Sequence, residues 1–394
     1  MLRQLFLSYL IVIVVAGCGG SNRGLPATFA NFIAVADIDG DGFLDVALSN
    51  VFLDGAPPHA GHIIVLFQNS AVPGTFLPLI ELNVGTGATH VTLADLNADG
   101  MLDLISANSG TGSNSISVLI QDLAKARSFL PRTDYAAATF PSATDTADMN
   151  GDGLLDIAVA ASSLLIFFQD SASAGSFLPF VNIAAIQSSD VAIEDINADM
   201  RPDLVLASAG TTGSDGKLWV VLQDPVIAGN FLAPVSYSAG SQPSSVAIAD
   251  LNADTRPDLA ATGSGAPGTP GSATVAVLLQ DSAKPGGFLG ADQYAIGNSG
   301  HVVDIGDLNA DNKPDLAVAH EDSVAVFLQE PAMAGIFQLP VKYLFERQVL
   351  AVAIGDLNND NLPDIAVAED GAKIMYQAAG GGGVFLPPVQ IYFP

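Results

Sequence analysis

The sequence is poor in the residues that most often carry chemistry. Its 394 residues include one cysteine, one tryptophan, five histidines, and only 13 lysines and arginines against 41 aspartates and glutamates. The histidines (His59, His62, His90, His301 and His320) show no His-x-x-x-His or Cys–His spacing, which leaves a catalytic zinc ion without a ligand set. No Gly-x-Ser-x-Gly elbow occurs, and Gly213-Ser214-Asp215-Gly216-Lys217 has neither P-loop spacing nor a following Ser or Thr. So few cations, with no basic run, argue against nucleic acid as a partner. The apolar run from Leu5 to Val15 is shorter than the ~20 residues a membrane span needs.

What is abundant is aspartate, and it is clustered. More than half of the acids fall in seven copies of a nine-residue unit, four in the first copy and three in each of the others. A generic acidic surface would spread them. The first copy reads Asp37-Ile38-Asp39-Gly40-Asp41-Gly42-Phe43-Leu44-Asp45. Carboxylates at places one, three, five and nine turn oxygens into one loop, and Gly42 supplies the positive φ such a turn needs. An all-oxygen set suits a hard cation. An EF-hand shares the opening but lies between helices and closes with Glu at place twelve. Here the flanks, Phe32-Ile33-Ala34-Val35-Ala36 and Val46-Ala47-Leu48, are apolar and β-branched, so the loop joins two antiparallel strands.

The expected ligands are side-chain oxygens at places one, three, five and nine and the backbone carbonyl at place seven. In chain order they are Asp37, Asp39, Asp41, Phe43 and Asp45; Asp95, Asn97, Asp99, Met101 and Asp103; Asp148, Asn150, Asp152, Leu154 and Asp156; Asp195, Asn197, Asp199, Arg201 and Asp203; Asp250, Asn252, Asp254, Arg256 and Asp258; Asp307, Asn309, Asp311, Lys313 and Asp315; and Asp356, Asn358, Asp360, Leu362 and Asp364. Up to seven Ca²⁺ ions follow, which would halve the net charge of −28. Asp39 is a fourth carboxylate where the other copies have Asn, so the first loop is expected to bind most tightly. Met200 and Thr255 replace Gly42 in the fourth and fifth copies, and those loops are expected to bend differently or bind more weakly. Seven near-identical acid–base active sites on one chain are implausible, so the carboxylates read as ligands and not as catalysts.

Between copies the landmarks are as regular as the loops. Gln68, Gln121, Gln169, Gln223, Gln280, Gln329 and Gln377 end apolar strands, and a Phe follows each Gln eight residues on. Only the stretch from the ninth-place Asp to the Gln varies, from 13 to 23 residues. Each repeat thus reads as four strands: A before the loop, B after it, C ending near the Gln, and D from the Phe onward. The period of about 53 residues suits a propeller blade, whereas a β-solenoid uses shorter rungs. The expected fold is an all-β, seven-bladed propeller of four-stranded antiparallel blades, with the Phe packing blade against blade.

D-x-[DN]-x-D-G-x-x-D on a strand hairpin, with Val-Ala-x-x-Asp-Leu-Asn before it, resembles the FG-GAP/VCBS repeats of integrin-α-like propellers and bacterial surface proteins, over about residues 30–394. That resemblance implies calcium and leaves function open, because the family serves adhesion, glycan binding and enzymes alike. The opening Met1-Leu2-Arg3, the apolar run and Val15-Ala16-Gly17-Cys18 resemble a bacterial lipoprotein signal, with Cys18 as the acylated residue. Gly19 in place of Asp favours outer-membrane export in lipoproteins of that kind. The organisation that follows is a signal peptide over 1–17, the acylated Cys and a flexible tether over 18–26, and a propeller over 27–394 with blades starting near residues 30, 88, 141, 188, 243, 300 and 349.

Function reads as a calcium-stabilised, monomeric envelope module for binding or adhesion, touching the membrane through its lipid only and recognising a protein or glycan. A propeller-scaffold carbohydrate-active enzyme, or a structural scaffold, is the alternative. Strand A runs toward the loop and B away, so the variable B-to-C connections emerge on the opposite face. They are long in repeats one, two, four and five and short in three, six and seven. His301, His320, Asp322, Arg347 and Asp370, on the short sixth and seventh blades, are the candidate ligand-binding residues.

Overall fold

A computed structural model describes residues 28–52, 61–110, 112–210, 216–265, 269 and 271–392. Cys18, the signal segment and parts of the four long B-to-C connections lie outside these residues. Among the described residues, 28 strands form seven antiparallel sheets of four, each from a contiguous stretch of chain. The first sheet orders β1 (Thr28–Ala36), β2 (Asp45–Phe52), β3 (Gly61–Leu66) and β4 (Ile80–Val84) from the inside outward, and these serve as strands A to D of blade one. The seventh is built the same way from Ala351–Gly355, Asp364–Glu369, Gly371–Met375 and Val389–Tyr392. β1 pairs with β2 and packs against strands of the seventh blade without joining that sheet, so the ring closes with no exchanged strand.

Burial follows strand position. Strands B and C lie between neighbouring sheets and are covered on both faces, as in Gly61–Leu66 and Asp364–Glu369, where every residue is buried. This is why the sequence runs apolar without alternation there. Strand D is the outer edge and stays open to water, as in Val235–Ser238. It also starts later than expected. Each landmark Phe makes only an isolated bridge to its Gln, and in blade four the regular strand begins after Pro234, which has no backbone N–H to donate.

Aromatic rings seal the joints between blades. Tyr135, Tyr237, Tyr294 and Tyr343 on strands D meet Phe177, Phe288, Phe337 and Phe385 of the next blade edge to face, with centroids 5.4 to 5.8 Å apart. Such pairs add about 0.5–1.5 kcal/mol beyond burial. Three of these tyrosine hydroxyls accept the backbone N–H of their Phe, at 3.2, 3.2 and 3.1 Å. Nearer the axis, Asn31, Thr89, Ser142, Ser189 and Ser244 each donate a side-chain hydrogen bond to a backbone carbonyl at the start of strand A in the next blade. At the closing seam the Tyr376 hydroxyl donates to the Gly74 carbonyl at 2.9 Å.

Candidate metal centres

All seven loops adopt one geometry. The backbone N–H at place six donates to one oxygen of the first-place Asp, and the N–H at place five donates to its other oxygen and to the third-place side chain. In the first loop these are Gly42 N to Asp37 at 2.9 Å, and Asp41 N to Asp37 at 3.0 Å and to Asp39 at 3.1 Å. The N–H at place seven donates to the fifth-place carboxylate, as Phe43 N does to Asp41. The same pattern recurs in the fifth loop, where Thr255 N reaches Asp250 at 2.8 Å.

Places four and six both require left-handed backbone. Gly42, Gly100 and Gly153 have φ of 87° to 89° at place six, and Met200, Thr255, Asn312 and Asn361 have φ of 64° to 69°. Loops four and five therefore do not bend differently; they take the same turn and carry its strain. Place four is left-handed as well, with Ala98, Ala198, Ala253 and Ala310 near 60°, a demand the alanines gave no hint of.

The ninth-place Asp is buried and does more than face the loop. One of its oxygens accepts the N–H at place two of its own loop, and the other accepts the backbone N–H of the landmark Gln. In loop one these are Ile38 N at 2.9 Å and Gln68 N at 2.7 Å, and every other loop repeats both bonds. This carboxylate thus ties the A–B loop to the end of strand C. Burial pushes it up to about 6 in Asp156, Asp203 and Asp258, and to about 7 in Asp45, Asp103, Asp315 and Asp364, with its hydrogen bonds opposing and nearby loop carboxylates generally adding to the rise.

The Gln side chain completes the clamp. Its amide donates to the carbonyl at place eight of its own loop, and in five blades also to the place-two carbonyl of the preceding blade's loop. Gln280 makes both bonds, to Pro257 at 3.0 Å and Ile196 at 2.8 Å. Gln121, Gln223, Gln329 and Gln377 do likewise.

The donor set fits a hard cation. In the first loop, oxygens of Asp37, Asp39 and Asp45 all lie within 4.8 Å of one another. Each carboxylate oxygen already accepting an N–H keeps a lone pair for a metal. Loops two to seven hold the same backbone with a neutral amide oxygen at place three.

One neighbour breaks the repeat. Six residues after each Gln the chain is left-handed, and glycine holds that place in six blades: Gly74, Gly175, Gly229, Gly286, Gly335 and Gly383. In blade two it is Arg127, with φ 57°. Its guanidinium reaches Asp39 of the first loop at 2.5 Å and Asp41 at 3.4 Å, and lies 5.5 Å from the centre of the Phe67 ring. The sequence signal was readable, because one residue departs from six glycines at a fixed offset.

On the opposite face the B-to-C turns of blades six and seven are short, with Glu321 and Asp322 between strands in one and Asp370 in the other. His301 and His320 are both buried, and burial pushes each down to about 4, with the neighbouring His320 adding for His301 and Lys342 for His320. His301 Nε2 meets Gln348 at 2.9 Å, and His320 Nε2 meets Ser323 at 3.0 Å. Asp322 is exposed. Arg347 pairs with Asp370 at 2.5 Å, its backbone N–H donates to Glu369, and Glu369 in turn pairs with Lys373. Four of the five candidates thus fall into two groups on adjacent blades, a buried imidazole pair and a partly exposed ion pair, while Asp322 stands apart on the turn of the sixth blade. Elsewhere, half-buried Asp145 and buried Asp190 and Asp304 on strands A accept backbone N–H groups of the next blade, a role that sequence reading missed.

Three stretches, residues 95–159, 195–261 and 307–367, match the family model described as FG-GAP-like repeat, together just under half of the chain. No curated protein sequence matches the chain. Among solved structures, an Agrocybe aegerita lectin described as recognising non-reducing terminal N-acetylglucosamine is similar at 19% identity and a TM-score of 0.52, over 82% of this chain and 81% of that one. BBS1N, solved in complex with ARL6DN, is similar at 12% identity and a TM-score of 0.51, over 90% of this chain and 93% of that one. At these identities the likeness is one of fold. The chain is a seven-bladed β-propeller that carries FG-GAP-like repeats.

Proposed function

We propose that the protein is a calcium-stabilised binding module of the cell envelope, lipid-anchored through Cys18 at the outer membrane, which recognises a protein or glycan on the face opposite its loops. The observation that carries this reading is the contrast between the two faces. One presents seven copies of a single oxygen-lined loop, and the other presents the connections that vary most in length. Uniform loops serve the scaffold, and variable connections on a rigid ring serve recognition. The lectin with the same fold, described as binding N-acetylglucosamine, favours a glycan as one ligand class.

In each loop the side chains at places one, three, five and nine would hold the ion, whose charge offsets the clustered carboxylates. Its chemistry there is structural. A carbohydrate-active enzyme is the weaker reading, since the buried histidines are engaged with Gln348 and Ser323 and the ion pair with itself. A glycan array and an envelope pull-down with the intact protein test the proposal, followed by Asp322→Ala and Arg347→Ala. Loss of a captured ligand with these variants supports the face over blades six and seven. Unchanged binding, with loss on trimming the long connections, places recognition on the long B-to-C connections of blades one, two, four and five instead.

A further inference from the structure

The first loop is the one with an extra carboxylate, and it is also the one met by an arginine of the next blade, whereas in the fifth loop Arg256 pairs with Asp254 from within the loop itself. The residue six places after each Gln overhangs the loop of the preceding blade. A Cβ added to Gly175, Gly229, Gly286 or Gly335 would sit 3.3 to 3.6 Å from the third-place Asn of that loop. Arg127 occupies this overhang above the first loop, where the third place is Asp39. The guanidinium covers the Asp39 side chain down to 6% exposure and is held from behind by Phe67. An arginine in left-handed backbone, where six sister turns have glycine, carries a local strain that the turn itself does not need. With Arg127 counted, the charge of the first loop equals that of the second, third and seventh.

We infer that Arg127 is a tethered counter-cation of the first loop: it takes the place of part of a metal ion's charge at Asp39, and a divalent cation must displace it to use that carboxylate. This rests on the reading of the loops as cation sites. The extra carboxylate then gives the first loop no advantage, and it fills together with the second and third loops and not ahead of them. It also holds its shape when calcium is scarce, because Asp39 stays paired.

The test is a double-mutant cycle on the intact protein with Arg127→Gly and Asp39→Asn, read by site-by-site occupancy at limiting Ca²⁺ from anomalous scattering and by melting in EDTA. With Arg127 present, Asp39→Asn is expected to leave first-loop affinity within about threefold. Arg127→Gly is expected to raise it about tenfold, the worth of one charge-assisted hydrogen bond, so that the first loop fills first. In the Arg127→Gly background, Asp39→Asn should remove that gain. In EDTA the ion pair is read with Arg127→Gln, which keeps the left-handed backbone cost and removes only the charge: it is expected to melt below the wild type, and adding Asp39→Asn should regain part of the loss. Arg127→Gln repeats the cycle if the glycine variant does not fold.

The inference is overturned if removal of the guanidinium leaves first-loop occupancy unchanged, or if Asp39→Asn has the same effect in both backgrounds. Absence of calcium from every loop of the wild type would overturn the cation-site reading and this inference with it. Calcium in six loops with an unresponsive first loop would overturn this inference alone.

Discussion

At the scale of single residues, the loop carboxylates divide their labour. The ninth-place Asp accepts two buried backbone N–H groups, so its removal leaves both unpaired. Asp364→Ala is expected to cost about 3 kcal/mol by chemical denaturation even without any cation, since Leu357 N and Gln377 N lose their acceptor. A loss below about 1 kcal/mol would refute that clamp. Thr255 poses the opposite case, a β-branched residue at φ 69°. Thr255→Gly should stabilise the protein by about 1 kcal/mol, the left-handed penalty less the entropy that glycine adds to the unfolded chain. Equal or lower stability in the glycine variant would show that the turn stores no strain at this place.

At the scale of the element, the blade and the apolar contact of its Phe at the joint are legible in the sequence, and the hydrogen bonds across the joint are not. Gln and Phe stood out through fixed spacing, and the Phe was read as packing, which its edge-on contact with the preceding Tyr bears out. The Gln was read as a strand end only, because nothing in one repeat reveals that an amide will reach back to Ile196 in another. The same holds for Asp145 and Asp304, whose partners lie 48 and 50 residues away. Hydrogen bonds across a joint pair unlike residues at long separation and leave no period behind. Gln280→Leu is therefore expected to cost about 2 kcal/mol, as it strands two carbonyls buried by the same joint. A change within about 0.5 kcal/mol, no larger than an ordinary surface substitution, would remove the amide from the account.

At the scale of the whole molecule, buried carboxyls dominate the response to pH. Burial pushes Asp145 and Asp304 up to about 7, and Asp190 well above its ordinary value. Together with the ninth-place residues they hold protons in the folded state that the unfolded chain releases near pH 4. The folded state then binds more protons between those values, so stability falls as pH rises from about 4 to about 7 and levels off above. His301 and His320 act in the other sense, losing stability as pH drops below about 6.5, but the carboxyls outnumber them. In EDTA the melting temperature should thus be lower at pH 7.5 than at pH 5. Saturating Ca²⁺ should shrink or reverse that difference, because it binds the deprotonated loops, each site adding about 1.4 kcal/mol at tenfold saturation. A melting temperature indifferent to EDTA at pH 7.5 would sink the proposal that calcium stabilises the ring.

The contiguous blades carry one more consequence, for the order of folding events. Every sheet pairs residues close along the chain, and every joint but one links neighbours in sequence. The exception is the seam, where Tyr376 meets Gly74 across 302 residues. Blades can therefore form and stack as a growing arc, with loop-closure entropy charged to the final contact alone. Tyr376→Phe should then hasten opening of the ring while leaving the rate at which the arc assembles unchanged.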